Sequence, residues 1–123
     1  QIADKYNEAI SDIDGFRTLS ILPDCKNAWW IYNFFIDPST GIDRDEFVQY
    51  LEDEFRIRTV LRFWPIHLGG IMRMKGHQHG DCPVCERVWF KEQMSLPISP
   101  QMKADEIKII TNALRIVYRK MAK

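Results

Sequence analysis

Trp29-Trp30-Ile31-Tyr32-Asn33-Phe34-Phe35-Ile36 is the stretch on which the fold turns. Aromatic and β-branched side chains fill it, and such residues suit a pleated, packed surface, so it predicts a strand. Alternation puts Trp30, Tyr32, Phe34 and Ile36 on one face and Trp29, Ile31 and Phe35 on the other. An antiparallel strand with one wet face alternates apolar with polar residues. This one is apolar on both faces, so it is expected to be covered on both.

Working outward, Ile2, Tyr6, Ala9, Ile10 and Ile13 recur at helical spacing, and Asp14-Gly15 ends that helix. A loop with Pro23, Asp24 and Asn27 leads into the strand, and Pro38-Ser39-Thr40-Gly41 turns out of it. Asp43, with Glu46 three residues on, is an N-cap signature. The helix behind it carries Phe47, Val48, Tyr50, Leu51 and Phe55 on one stripe, with Asp45, Glu46, Glu52 and Asp53 outward. Ile57-Arg58-Thr59-Val60-Leu61-Arg62-Phe63 alternates and predicts a second strand, stopped at Pro65. Residues 69–80 read as loop. Asp81 is expected to cap a helix with Pro83 in its first turn, burying Val84, Val88 and Trp89. Ser95-Leu96-Pro97-Ile98 is a short extended piece, and Ile107, Ile110, Leu114, Val117, Tyr118 and Met121 line a last helix. The fold class is α+β, a small, mostly antiparallel sheet packed with helices.

The 123 residues suit one domain, and a chain of this size buries roughly two-thirds of its unfolded surface. With 17 Lys+Arg against 17 Asp+Glu there is no electrostatic case for nucleic acid or a membrane surface. No apolar run approaches the ~18 residues of a membrane helix. Three cysteines, Cys25, Cys82 and Cys85, are few and odd in number for a disulfide scaffold, so a cytoplasmic setting is expected. The sequence opens on Gln1 without a signal segment, and is expected to be a piece of something longer.

The densest group of ligand-type residues is His77-Gln78-His79-Gly80-Asp81-Cys82-Pro83-Val84-Cys85. His77, His79, Cys82 and Cys85 supply the four donors a tetrahedral zinc site needs, but structural sites usually separate two pairs by a dozen residues. Solvated loop histidines and small packed cysteines explain the same residues. Cys82 and Cys85 also have redox-motif spacing at a helix start, although the strand signal of a thioredoxin-like fold has by then passed. His67, at the exit of the second predicted strand beside Arg62 and Trp64, is either packed or ligand-facing. Gly69-Gly70 completes no phosphate-binding fingerprint, no serine sits in a nucleophile elbow, and Glu52, Asp53 and Glu54 read as a solvated helix face.

The order of segments resembles a known pattern. It comprises helix 2–13 ending in Gly15-Phe16-Arg17-Thr18, Asn27-Ala28-Trp29-Trp30-Ile31-Tyr32, and Arg44-Asp45 opening a helix. Ile57-Arg58-Thr59, Trp64-Pro65-Ile66-His67-Leu68, Cys82-Pro83-Val84-Cys85-Glu86 and Leu96-Pro97-Ile98-Ser99-Pro100 follow in order. Together they resemble the C-terminal part of the DegT/DnrJ/StrS family of pyridoxal-phosphate-dependent sugar aminotransferases. Two departures stand out: Cys85 replaces the usual small residue, which creates the Cys-x-x-Cys, and Lys103 replaces the usual Ser or Thr cap of the last helix.

The resemblance implies that residues 1–123 are the small C-terminal domain of an aspartate-aminotransferase-like fold, with 1–15 part of the connecting helix and the large cofactor domain absent. The parent would transfer an amino group from an amino acid, glutamate, to a keto-sugar carried on a nucleotide, using pyridoxal phosphate, as a cytoplasmic homodimer. The Schiff-base lysine lies in the large domain. Lys75, the lysine nearest a glycine turn, is in the wrong segment, so this chain alone is expected to bind no cofactor and to be inactive. His67 is carried over as lining the substrate side, with Trp64 and Arg62 as neighbours. It is expected to face a cleft completed by the large domain, so that truncating it costs this chain little stability. The alternative is a free-standing binding or interaction module, zinc-stapled through His77, His79, Cys82 and Cys85.

Overall fold

The computed structural model describes residues 2–122. In chain order it comprises α1 (Ile2–Ser11), β1 (Phe16–Thr18), β2 (Tyr32–Ile36), α2 (Arg44–Phe55), α3 (Gly70–Met74), α4 (Pro83–Arg87), β3 (Gln93–Leu96) and α5 (Ala104–Met121). The three strands form one antiparallel sheet in the order β1-β2-β3. Phe16 lies opposite Ile36, and Tyr32 opposite Leu96. The α+β class and the antiparallel sheet are as the sequence predicts.

One face of β2 decides the core. Tyr32, Phe34 and Ile36 are wholly buried and meet Tyr6 and Ile10 of α1, Phe47 and Leu51 of α2, and Leu114 and Val117 of α5. These are the stripes that the 3.6-residue spacing marks out. Phe16 stands among Phe34, Phe47 and Tyr118, with ring centroids 5.4–5.5 Å apart. Tyr6 donates its hydroxyl to Pro97 O at 2.8 Å and Tyr32 to Asn7 Oδ1 at 2.6 Å, so both buried phenols are satisfied. Burial raises the pKa of each well above the ordinary tyrosine value.

The other face is half-covered and partly polar, which corrects the expectation of two apolar covers. There Asn33 Oδ1 accepts from Gln93 Nε2 at 3.1 Å and Ser95 Oγ at 2.6 Å, and Phe35 lies 5.5 Å from the Arg17 guanidinium. The strand is also shorter than its apolar run. Asn27 Oδ1 accepts from Trp29 N at 2.9 Å, and this local turn holds Trp29 at φ +52. Trp29 then stacks on Tyr32 rather than continuing the pleat, and Trp30 is left 71% exposed.

Residues 57–63 do not form the second strand. Ile57 is buried, but Val60 alone pairs with the sheet, through an isolated bridge to Ser95. Beyond it Phe63 stacks on Trp30 and Trp64 packs on Trp89, which draws the segment off the sheet. The third strand is instead Gln93–Leu96, at the edge of the short extended piece noted above. The predicted loop 69–80 contains α3.

Capping behaves as the sequence indicates at α2, where Asp43 Oδ1 accepts from Asp45 N at 2.8 Å and Glu46 N at 3.1 Å. At α5 the Lys103 side chain has no acceptor to offer. Glu106 Oε2 reaches back to Lys103 N at 2.7 Å and supplies half of a capping box. Gly15 makes the α1–β1 turn at φ +74, with a Cβ built there only 2.0 Å from Thr40 Cγ2. No helix among the described residues is long and apolar enough to cross a membrane.

Candidate functional site

The residues singled out by sequence lie on two adjoining segments, 60–68 and 76–86, joined by one buried carboxylate. Glu86 is 4% exposed and sits in α4. Its Oε1 is 2.7 Å from His67 Nε2, accepts from Gly80 N at 2.8 Å and from Cys82 N at 3.4 Å, and its Oε2 is 2.9 Å from His79 Nδ1. Gly80 can aim its N–H inward because it adopts φ +99, a region that disfavours any residue with a Cβ. Burial raises the proton affinity of Glu86. The hydrogen bonds from His67, Gly80 and Cys82 and the nearby His79 outweigh that, and hold its pKa below the ordinary glutamate value.

Asp81 is not the helix cap. Its carboxylate accepts from Gln78 N at 3.1 Å and faces His77 Nδ1 at 3.2 Å; the Gln78 bond, followed by the His77 bond, lowers its pKa. Cys82 takes the N-cap position without a side-chain bond. Val84 is 65% exposed, and Val88 and Trp89 are only half-buried. The turn inserts Glu86 in place of the apolar residues expected to be buried there.

After α4 the chain makes a π-helical turn, Val88–Glu92. Arg44, buried at the start of α2, holds the backbone of this turn. The guanidinium donates to Trp89 O at 3.1 Å, to Phe90 O at 2.9 Å and to Gln93 O. Glu92, also buried, meets Arg17 at 2.6 Å and Arg87 at 3.3 Å. This frame fixes an aromatic group in which Trp64 lies edge-on to Trp89 at 4.6 Å and to Phe90 at 5.8 Å, and Trp30 stacks with Phe63 at 6.1 Å. The indole nitrogen of Trp89 is buried without a partner among the described residues.

His67 does not face outward. It is 7% exposed and bonded within its own domain, which corrects the expected orientation. Trp64 is about half exposed, and Arg62 is exposed with its guanidinium 6.0 Å from the Phe63 ring. The four zinc-type residues are not brought together: His77 turns to Asp81, His79 to Glu86, and both cysteines are exposed and free. No group of three or more His, Cys, Asp or Glu among the described residues is arranged to hold a metal ion.

Pyridoxal phosphate requires a lysine held in a pocket. Every lysine among the described residues is solvent-exposed, and none adjoins a glycine-rich phosphate cradle, so these residues by themselves do not fit that cofactor. Two of the site's organising residues, Glu86 and Arg44, stand in quoted motif segments, but the motifs do not reveal their organising roles. Arg44 nevertheless lies three and seven residues before Phe47 and Leu51, on the buried stripe, and that spacing is a usable signal.

A family model described as the DegT/DnrJ/EryC1/StrS aminotransferase family matches residues 1–115. The spore coat polysaccharide biosynthesis protein SpsC of Bacillus subtilis is 29% identical over 121 residues, 97% of this chain and 31% of its own. The putative sugar aminotransferase Spr1654 of Streptococcus pneumoniae, in its PLP form, superposes with a TM-score of 0.82 at 17% identity, covering 99% of this chain and 31% of that one. DesI, solved in the presence of its TDP-sugar product, has a TM-score of 0.77 at 25% identity over 98% of this chain and 30% of its own. The chain thus spans about three-tenths of the length of the relatives it matches.

Proposed function

Because the chain belongs to the DegT/DnrJ/EryC1/StrS aminotransferase family, we propose that it is the small C-terminal domain of a nucleotide-sugar aminotransferase. Residues 1–123 make up that domain, and 1–15 belong to the helix connecting it to a large cofactor domain. The parent moves an amino group from an amino acid, glutamate, to the carbonyl of a sugar carried on a nucleotide, in the cytoplasm and as a homodimer. The observation that carries this reading is the family match over residues 1–115. The TDP-sugar product of DesI supports the substrate class.

Within the parent, the cofactor chemistry belongs to residues outside this chain. This chain's residues shape and dry the substrate side. Trp64 offers an apolar, half-exposed ring and Arg62 an exposed positive charge, suited to a sugar face and to phosphate oxygens. His67 acts beneath them: through Glu86 it fixes the turn that follows Pro65, and so positions both. The exposed aromatic rings of Trp30, Phe63 and Trp64 fit a surface that another part of the parent completes.

The test is to incubate the chain with pyridoxal phosphate, reduce with borohydride, and assay an amino donor with a keto-sugar nucleotide. No stoichiometric adduct and no turnover are expected from the chain, and both from the parent. A single-site adduct supporting turnover in the chain alone would overturn the reading.

A further inference from the structure

Cys82 and Cys85 open α4 in an arrangement that the family reading does not use. Cys82 is the N-cap, with φ −131 and ψ 70, Pro83 begins the helix, and Cys85 follows three residues after the first thiol. The first helical turn is closed, since Cys82 O accepts from Glu86 N at 3.0 Å. Residues three apart on such a turn share a face, with Cβ atoms roughly 5–6 Å apart. A disulfide holds its Cβ atoms about 3.5–4.5 Å apart, and Cys82, whose backbone lies outside the helical region, can swing to close the remaining distance. Both thiols are free and exposed, so neither is the small packed residue that a structural cysteine would be. Solvent access to both sulfurs is the second requirement for exchange.

We propose that Cys82 and Cys85 are a reversible dithiol–disulfide pair, a redox modification site that closes on reaction with small disulfides of the glutathione class. One cysteine thiolate attacks a sulfur of glutathione disulfide. A mixed disulfide forms, the S–S bond of the oxidant breaks, and one glutathione leaves as thiolate. The second cysteine, its proton lost to water, attacks the protein sulfur of the mixed disulfide and expels the second glutathione. Two cysteine thiols are thereby oxidised, one glutathione disulfide is reduced to two thiols, and the two protons released are taken up by the leaving thiolates. The bridge closes the same turn that delivers Cys82 N to Glu86.

Cys25, exposed on a separate loop, provides the internal reference. In Cys25→Ser, glutathione disulfide is expected to release two reduced glutathiones per chain, remove two hydrogens from the intact mass, and join Cys82 to Cys85 in peptide mapping; dithiothreitol reverses all three. Cys25→Ser/Cys85→Ser should stop at one glutathione adduct with one glutathione released. The proposal is overturned if Cys25→Ser keeps both thiols at the oxidant concentration that fully modifies Cys25 in the native sequence. It is equally overturned if the pair accumulates as glutathione adducts or as disulfide-linked dimers.

Discussion

His67 Nε2 and Glu86 Oε1 lie 2.7 Å apart with both side chains buried, and this contact ties the turn after Pro65 to α4. Truncation to His67→Ala removes one of the three partners of Glu86 Oε1 and leaves the bonds from Gly80 N and Cys82 N. A hydrogen bond to a charged group contributes about 1.5–3 kcal/mol, so the urea midpoint of the chain is expected to fall accordingly. A loss within about 0.5 kcal/mol, as at ordinary surface positions, would show that the contact is dispensable.

Acid should loosen the same contact. The pKa of Glu86 is lower in the folded chain than its ordinary value, so the unfolded chain takes up this proton first as pH falls. The stabilisation is complete above the ordinary glutamate range and disappears as pH falls through the depressed folded value. Asp81 and Asp37 are shifted in the same direction, Asp37 mainly by its bond from Ser39 N. In urea titrations the native sequence should exceed Glu86→Gln most at neutral pH, and the gap should narrow in acid. A gap that is constant with pH would contradict the assignment.

Arg44 donates to three backbone carbonyls, those of Trp89, Phe90 and Gln93. Arg44→Ala should therefore destabilise by about 3 kcal/mol, the upper range for hydrogen bonds to a charged group. Arg44→Lys should recover only part of this, because an ammonium cannot fork across the carbonyls of Trp89, Phe90 and Gln93. Thermal unfolding of the three chains gives the order directly.

Gly15→Ala carries two penalties that a double-mutant cycle can separate. The left-handed backbone costs a residue with a Cβ about 1–2 kcal/mol, and the new Cβ meets Thr40 Cγ2. Thr40→Ser removes that methyl while keeping the hydroxyl that donates to Asp37 O. Thr40→Ser should thus relieve the steric part alone, leaving the backbone loss of about 1–2 kcal/mol. Strict additivity would mean that Thr40 yields freely.

Helices α1, α2 and α5 were legible because their buried stripes repeat at a spacing few other structures satisfy: Tyr6 and Ile10, Phe47 and Leu51, Ile110, Leu114 and Val117 all lie where the periodicity puts them. The short α3 and α4 bury no such stripe. The strands were less so. Trp29 is held out of the pleat by an Asn27 side chain, a local bond that no count of apolar residues reveals. Residues 57–63 alternate as a strand does, but their partners Trp30 and Trp89 lie in other segments. In the candidate site, Arg62, Trp64 and His67 were visible as a motif, whereas the orientation of His67 was set by Glu86, nineteen residues away. Such a pairing is a tertiary fact. It becomes readable once Gly80 and Cys82 are seen to aim their N–H groups at one carboxylate.

The bridge between Val60 and Ser95 acts on what the sheet could do to other molecules. β3 is an outer strand, and its free side would offer a row of unpaired N–H and C=O groups as a template for another chain. Val60 occupies that side at its centre, donating to Ser95 O at 3.3 Å and accepting from Ser95 N at 3.1 Å. Arg58 and Arg62 flank it as exposed charges. A strand that failed to form thus serves as a guard rail: one hydrogen-bonded residue, with a cation on either side, blocks edge-to-edge growth into aggregates.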